Sequence, residues 1–133
     1  ADFEALAAPR VERILGALRP LDVPLVYFPN QGGHLLERMR SLPAHVVGID
    51  WRTSLAEARR VLGPEVTLQG NLDPSLLFAP RDVLAAAIDA VLDEARDGRH
   101  VFNLGHGIDR ATDPDAVAFL VDRVHERTAR SAS

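Results

Sequence analysis

The chain has 133 residues, 47% of them hydrophobic and 26% charged, and these proportions are typical of a soluble globular domain. Its formal net charge of -4 and its dispersed arginines exclude the basic patch of a nucleic-acid-binding protein. Because it has no cysteine, disulfides, thiolate metal sites and a cysteine nucleophile are also excluded. No run reaches the ~18 apolar residues of a membrane span. We therefore expect a cytoplasmic protein without nucleic-acid or membrane partners.

The chain opens on Ala1-Asp2-Phe3-Glu4 and has no initiating methionine. We interpret this start as that of a trimmed or proteolytic product, with N-terminal processing alone as the alternative. No linker or shift in composition divides the sequence, so residues 1–133 are expected to form one unit.

Apolar residues recur alternately at helical and at strand spacing along the chain. Proline and glycine separate these runs, as at Pro20, Pro24 and Gly63-Pro64. In chain order, we predict a helix over 3–18, a strand over 23–28, a helix over 34–40, a strand over 45–50, a helix over 55–62, a strand over 66–70, a helix over 80–96, a strand over 100–104 and a helix over 114–129.

Two local signals refine these boundaries. Ser54 precedes the 55–62 helix, and Glu57 three residues later predicts a capping box with it. The segment 71–74, Asn-Leu-Asp-Pro, predicts a turn after the third strand, because Asx residues and proline favour turns.

The alternation of short strands with helices predicts an α/β fold with four parallel strands. A parallel neighbour is reached only through a crossover, and a helix usually makes that crossover. The strands are apolar on both faces, as in a sheet buried between layers.

Polar residues follow each predicted strand, whereas the loops that enter the strands are ordinary polar turns. The carboxyl ends of parallel strands lie at one edge of the sheet, and ligands of α/β proteins bind there. This asymmetry predicts one functional face. Its candidate residues are Asn30, Gln31, Asp50, Trp51, Arg52, Gln69, Asn71, Asp73, Asn103 and His106.

Most of these candidates also have an ordinary structural explanation. Asp50 is placed to cap a helix or pair with Arg52, Trp51 is a typical packing residue, and the segment 69–74 fits turn chemistry alone. The remaining histidines are not spaced as metal ligands, and a structural role is favoured for each. They are His34, His45, His100 and His125.

His106 is the strongest candidate for a binding role. It lies just past an apolar strand and between Gly105 and Gly107, which let the backbone turn sharply or approach a ligand closely. Histidine as a residue type titrates near neutral pH and can hydrogen-bond an anionic substrate. The two glycines are not a dinucleotide-binding fingerprint, because the third glycine and the acidic partner are missing.

Three segments resemble the uroporphyrinogen decarboxylase family. They are 68–74, Leu-Gln-Gly-Asn-Leu-Asp-Pro; 101–108, Val-Phe-Asn-Leu-Gly-His-Gly-Ile; and 47–51, Val-Gly-Ile-Asp-Trp. The segment 119–125 is similar to that family's last helix, so the resemblance spans nearly the whole chain. It implies the C-terminal half of a (β/α)8 TIM barrel.

The resemblance also implies an activity. Members of the family convert uroporphyrinogen III to coproporphyrinogen III in tetrapyrrole and heme biosynthesis, by four acetate decarboxylations without a metal or organic cofactor, usually as homodimers. The family's histidine in this motif contacts substrate and corresponds to His106. The family's arginine-rich segment and central aspartate match no position here, so Asp50 and Asp73 do not inherit that role. We therefore expect no catalytic residue and no metal ligand in this chain.

The sequence departs from the family after Ile108, where Asp109-Arg110 stands in place of a common proline. Related cobalamin-linked methyltransferases use cysteine and histidine zinc ligands, and the absence of cysteine disfavours that branch. Half a barrel has two open edges and an exposed inner face, so we expect association with the missing N-terminal half or as a homodimer. Alone, the chain is expected to lack decarboxylase activity.

Two other functions remain open from the sequence. One is a non-catalytic half-barrel that binds a tetrapyrrole or a protein partner. The other is an open flavodoxin-like nucleotide binder, for which Gly32-Gly33 is the sole candidate phosphate loop.

Overall fold

A computed structural model describes residues 3–129, so the ends of the predicted unit 1–133 lie outside the described residues. The described chain forms one four-stranded parallel sheet in the order β1-β2-β3-β4, with helices between the strands. The strands are β1 Val26–Tyr27, β2 Val46–Gly48, β3 Thr67–Leu72 and β4 His100–Leu104, and the α-helices are α1 Ala8–Leu18, α2 Leu36–Met39, α3 Leu55–Leu62, α4 Arg81–Glu94 and α5 Pro114–Thr128. The predicted α/β architecture is confirmed.

The helices cover one face of the sheet, where two apolar clusters form the core. Leu68 of β3 lies in the first cluster with side chains from α1, α2 and α3, and Leu72 lies in the second with side chains from α4 and α5. Ala58 and Ile88 are fully buried in these clusters. Burial of this kind contributes about 25 cal/mol per Å² of apolar surface, so this layer carries most of the stability.

The opposite face of the sheet, called here the inner face, is open among the described residues. Val26 is 47% exposed, Phe28 42% and Val101 46%. The strand register aligns Val26 with Val46 and Thr67, and Gly48 with Gln69 and Val101, so these residues share one face. Parallel sheets are normally covered on both faces. The exposed inner face expected of a half-barrel is therefore present.

The first helix and the first strand are shorter than predicted. Residues Phe3–Ala7 form a π-helical turn, and α1 begins at Ala8 because Pro9 fits only the first turn of an α-helix. Strand β1 is limited to Val26–Tyr27, because Pro24 has no N–H and the Leu25 N–H donates to Nδ1 of His45 at 2.9 Å.

The third strand is longer than predicted, and the prediction of a turn over 71–74 was wrong. Strand β3 continues through Asn71 and Leu72, which are in register with Asn103 and Leu104 of β4. The turn starts at Asp73, whose side chain caps a 3₁₀ helix over Pro74–Phe78 by accepting from the Ser75 N–H at 2.9 Å. Asn71 stays in the strand because its amide is satisfied by neighbouring carbonyls, as described below.

The cap of α3 is confirmed at Ser54, whose hydroxyl accepts from the Glu57 N–H at 3.2 Å. The carboxylate that joins the cap is that of Glu94 in α4: it accepts from the Ser54 hydroxyl and, at 3.1 Å, from the Ala56 N–H. In place of the predicted capping box with Glu57, the cap is joined by a residue distant in sequence, which ties α3 to α4.

Arg59 of α3 binds the loops at the amino edge of the sheet. Its guanidinium donates to the carbonyls of Pro64 at 3.2 Å and Arg99 at 2.7 Å, and also to that of Val66. Gly98 leaves room for this side chain, since a Cβ there would lie 2.6 Å from the guanidinium carbon. One arginine therefore joins the segments that lead into β3 and β4.

Candidate functional site

The segments that follow β2, β3 and β4 meet at the carboxyl edge of the sheet. The Gly105 N–H donates to the Leu72 carbonyl at 2.7 Å, which holds the start of the His106 loop against β3. A Cβ on Gly105 would lie 2.4 Å from the backbone nitrogen of Trp51. Glycine is therefore required at 105 by the close approach of the segment that follows β2. A Cβ on Gly107, by contrast, would contact no neighbouring atom within 4 Å.

The buried Asn71 side chain joins β3 to the segment that follows β2 at this edge. Its Nδ2 donates to the carbonyl of Asp50 at 3.0 Å and to that of Thr53 at 2.6 Å. Asn71 is 7% exposed, Asp50 3% and Thr53 9%, so these bonds form away from water. The amide fixes the 50–53 segment and thereby the position of Trp51. Its role in this structure is to position other residues.

Asp50 also has a local role. Its Oδ1 accepts from the Arg52 N–H at 2.8 Å, which is the hydrogen bond of an Asx turn. Asp50 therefore has a structural role other than the two expected: Ser54 caps α3, and the Asp50 carboxylate binds the Arg52 backbone and stabilises the turn.

The His106 imidazole lies beside the Trp51 indole. The two ring centroids are 6.0 Å apart and the ring planes meet at 79°, an edge-to-face arrangement. On the same indole, the Arg52 guanidinium carbon lies 3.9 Å from the ring centroid. His106 itself is exposed, and Trp51 is half-buried. The sequence identified His106 and Arg52 as separate polar residues, but nothing in it indicated that Trp51 would join them.

Two clefts meet at His106. The inner cleft lies over the open sheet face and has a volume of about 500 Å³. The outer cleft, of about 440 Å³, lies on the loop side. The inner cleft is lined by Phe28, Gly48, Ile49, Gln69, Asn103, Leu104, His106, Gly107 and Ile108. Its wall is mainly apolar, with polar groups from Gln69, Asn103 and His106 at the strand ends.

The loop after His106 has a defined path despite its departure from the family pattern. Asp109 Oδ1 accepts from the Ala111 N–H at 2.8 Å, and the Asp109 carbonyl accepts from the Thr112 N–H at 3.0 Å. The aspartate therefore forms the turn at the position where proline is common in the family.

Gly32 and Gly33 do not form a phosphate cradle. A Cβ on Gly33 would lie 2.3 Å from Oγ1 of Thr53, and one on Gly32 would lie 2.4 Å from Cγ of Pro29. The two glycines are thus packed against protein side chains. The flavodoxin-like alternative loses its candidate loop.

His100 lies on the helix-covered face of the sheet, in register with Leu68 and away from the clefts at His106. Its Nε2 donates to the Gly70 carbonyl at 2.6 Å, and its ring packs edge-to-face on Phe102. Burial lowers the pKa of His100 below its usual value, although the bond to Gly70 opposes this shift. His100 is a neutral packing residue, as the sequence favoured.

Residues 3–129 contain no group of three histidine or acidic side chains arranged to hold a metal ion. Among these same residues, every helix is too short or too polar to cross a bilayer.

The parallel strands, the single helical layer and the polar carboxyl edge define an α/β half-barrel whose polar residues gather at the strand ends. A family model described as "Uroporphyrinogen decarboxylase (URO-D)" matches residues 1–127. The chain belongs to the uroporphyrinogen decarboxylase family.

Curated relatives named uroporphyrinogen decarboxylase match along most of this chain. The one from Streptomyces griseus is 46% identical over 132 residues, covering 98% of this chain and 36% of the relative. The one from Desulfotalea psychrophila is 42% identical over 130 residues, covering 97% of this chain and 38% of the relative. The chain therefore spans somewhat over a third of the length of these relatives.

A solved structure, titled as a methyltransferase from Methanosarcina mazei, is similar in fold. It superposes with a TM-score of 0.77 at 21% identity, over 96% of this chain and 37% of that structure's chain. This likeness supports the partial-barrel fold.

Proposed function

We propose that this chain supplies one half of a uroporphyrinogen decarboxylase active site, with His106 as a substrate-binding side chain. The observation that carries the proposal is the position of His106, exposed at the carboxyl edge and lining the inner cleft. The relatives' names support the substrate class, because each is called a uroporphyrinogen decarboxylase.

The inner cleft suits such a substrate chemically. A tetrapyrrole has an apolar ring and a rim of carboxylates, so it needs an apolar wall beside groups that bind carboxylate. Phe28, Ile49 and Leu104 offer the wall. The His106 imidazole hydrogen-bonds a rim carboxylate, and in its protonated form that bond is charge-assisted.

The reaction requires protonation of a pyrrole carbon, loss of CO2 from the acetate arm and a second protonation. Cationic character on the pyrrole nitrogens must be stabilised while the carbon–carbon bond breaks. This chain contributes binding and orientation, with no catalytic residue and no cofactor. The groups that stabilise the cation come from another polypeptide segment.

That segment covers the inner face. Val26, Phe28 and Val101 are exposed there, and β1 and β4 each have an unpaired edge in the described sheet. We infer that residues 1–133 work as a C-terminal half-barrel unit in the cytoplasm, associated with an N-terminal half, and that the completed barrel forms a homodimer.

The test is a complementation assay. The chain alone is expected to convert no uroporphyrinogen, and adding the part of the Streptomyces griseus relative that this chain does not match is expected to restore conversion. His106→Asn should raise KM in the reconstituted enzyme. Conversion by the chain alone would refute the division of roles. Tetrapyrrole binding without conversion in any mixture would favour the non-catalytic binding module.

A further inference from the structure

The Arg52 guanidinium occupies a distinctive position at the carboxyl edge. It lies 3.9 Å from the Trp51 ring centroid, and that ring is 6.0 Å from His106. Through the Trp51 ring, the guanidinium and the imidazole lie within about 10 Å of each other. Two groups that can carry positive charge therefore lie next to one indole.

The Arg52 side chain is exposed. Within residues 3–129 it forms no salt bridge with a carboxylate. Many other arginines of the described chain are engaged. Those bound to a carboxylate or to backbone carbonyls are Arg10, Arg38, Arg59, Arg81, Arg96, Arg99, Arg123 and Arg127.

The backbone beneath Arg52 is held in place. Its N–H donates to Asp50 Oδ1 at 2.8 Å, and the Asn71 amide binds the carbonyls of Asp50 and Thr53. Stacking on Trp51 restrains the side chain as well. A side chain restrained before binding loses less conformational entropy when it binds.

Stacking on an aromatic ring uses the face of a guanidinium and leaves its in-plane N–H groups free. Those N–H groups form a fork that matches a carboxylate with two parallel hydrogen bonds. Arg52 thus has both the geometry and the free donors for a carboxylate ligand.

We propose that Arg52 is a second carboxylate-binding residue, which together with His106 holds two carboxylates of one polycarboxylate ligand beside Trp51. The proposal rests on the function proposed for His106 and extends it to a second binding group. It predicts a preference for ligands that carry several carboxylates over those that carry one.

The chain offers a direct reporter, because Trp51 is its one tryptophan. Binding can be followed by indole fluorescence during titration with mellitate, a flat ring bearing a carboxylate on every carbon, against acetate at equal ionic strength. The dissociation constant comes from the midpoint, so a change in amplitude between variants does not affect it.

The variants are Arg52→Gln and His106→Asn, with Arg60→Gln as the matched control. Arg60 is an exposed arginine on α3 that lines a separate cleft with Gly98 and His100. Arg52→Gln is expected to weaken mellitate binding about tenfold and Arg60→Gln less than twofold. Arg52→Lys, which keeps the charge but loses the planar fork, is expected to lie between wild type and Arg52→Gln.

The outcomes separate the two proposals. Weakening by both Arg52→Gln and His106→Asn, with unchanged far-UV circular dichroism, supports the shared site. Weakening by His106→Asn alone overturns the role of Arg52 and leaves that of His106 intact. The absence of a saturable response to mellitate overturns a specific site at Arg52 and His106. A loss of mellitate affinity in Arg60→Gln equal to that in Arg52→Gln does the same. If Arg52→Gln fails to fold, wild-type affinity in Arg52→Lys overturns the need for the planar fork.

Discussion

The α-carbon of Gly105 lies so near Trp51 that a Cβ there would be 2.4 Å from the Trp51 nitrogen and 3.0 Å from its Cβ. Gly105→Ala must push apart the segments after β2 and β4. We expect it to lower the free energy of unfolding by about 1–3 kcal/mol, as overpacking does. It should also shift the Trp51 emission. Urea unfolding and fluorescence spectra measure the two effects.

Gly107→Ala is the matched control for this prediction. It changes the glycine on the other side of His106, where a Cβ meets nothing within 4 Å. Its stability should stay within about 0.5 kcal/mol of wild type. Equal stability losses in the two variants would contradict the contact between Gly105 and Trp51.

Asn71→Asp tests the hydrogen bonds of the buried Asn71 amide. The change replaces an amide that donates to the carbonyls of Asp50 and Thr53 with a carboxylate that faces them. Loss of hydrogen bonds to buried carbonyls costs about 1–3 kcal/mol, and the unpaired charge adds to that cost. Chemical denaturation should therefore show a large loss of stability.

Asn103→Asp makes the same change at the in-register position of β4. Asn103 is exposed, and its Oδ1 accepts from the Leu104 N–H, a bond that a carboxylate can also accept. We expect a small effect on unfolding. A loss as large as that of Asn71→Asp would show that the buried amide contacts are not the source of the effect.

His100 should make stability depend on pH. Its pKa is lowered by burial, with the nearby Arg59 charge acting in the same direction, so protons bind more readily to the unfolded chain. The neutral His100 ring therefore contributes fully to the stability of the fold above about pH 6.5, the pKa of histidine in the unfolded chain. That contribution declines as the pH falls below this value. His100→Gln should flatten the dependence of the unfolding free energy on pH between about 7 and 5, relative to wild type.

His125→Gln provides the comparison for the pH experiment. His125 is exposed on α5, so its removal should leave the slope of stability against pH close to that of wild type. An unchanged slope in His100→Gln would contradict the assignment.

The two faces of the sheet should respond differently to substitution. Leu68→Ala removes a side chain that is 1% exposed and should cost about 2–5 kcal/mol of stability. Val101→Glu changes a side chain that is 46% exposed and should change stability by less than about 1 kcal/mol. It should nevertheless abolish association with an N-terminal half, measured by size-exclusion chromatography. Undiminished association would exclude the inner face as the contact.

The sequence predicted the order of elements well, because apolar periodicity and proline–glycine punctuation are local signals. It failed at Asn71, which looks like a turn residue until the carbonyls of Asp50 and Thr53 are close enough to bind its amide. It placed the cap of α3 correctly at Ser54 but expected Glu57 to supply the carboxylate that joins this cap, which is that of Glu94. Both errors involve partners distant in sequence, which no local pattern contains.

The site was predicted in part. His106 could be selected from its strand-end position between two glycines. The stacking of Arg52 on Trp51, and of Trp51 beside His106, depends on how closely Gly105 lets two loops approach. That approach is a property of the folded sheet. It could not be read from the spacing of residues along the chain.

The hydrogen bonds from Arg59 to backbone carbonyls affect how this chain tolerates sequence change. The guanidinium joins segments at the amino edge through the carbonyls of Pro64, Val66 and Arg99. Carbonyl acceptors are present whatever the side chains, so these hydrogen bonds do not depend on the side chains of the acceptor residues while Arg59 and the small Gly98 stay. The His106 loop lies at the other end of the strands. Substitutions can therefore accumulate in that loop after Gly105 while the hydrogen bonds of Arg59 stay intact.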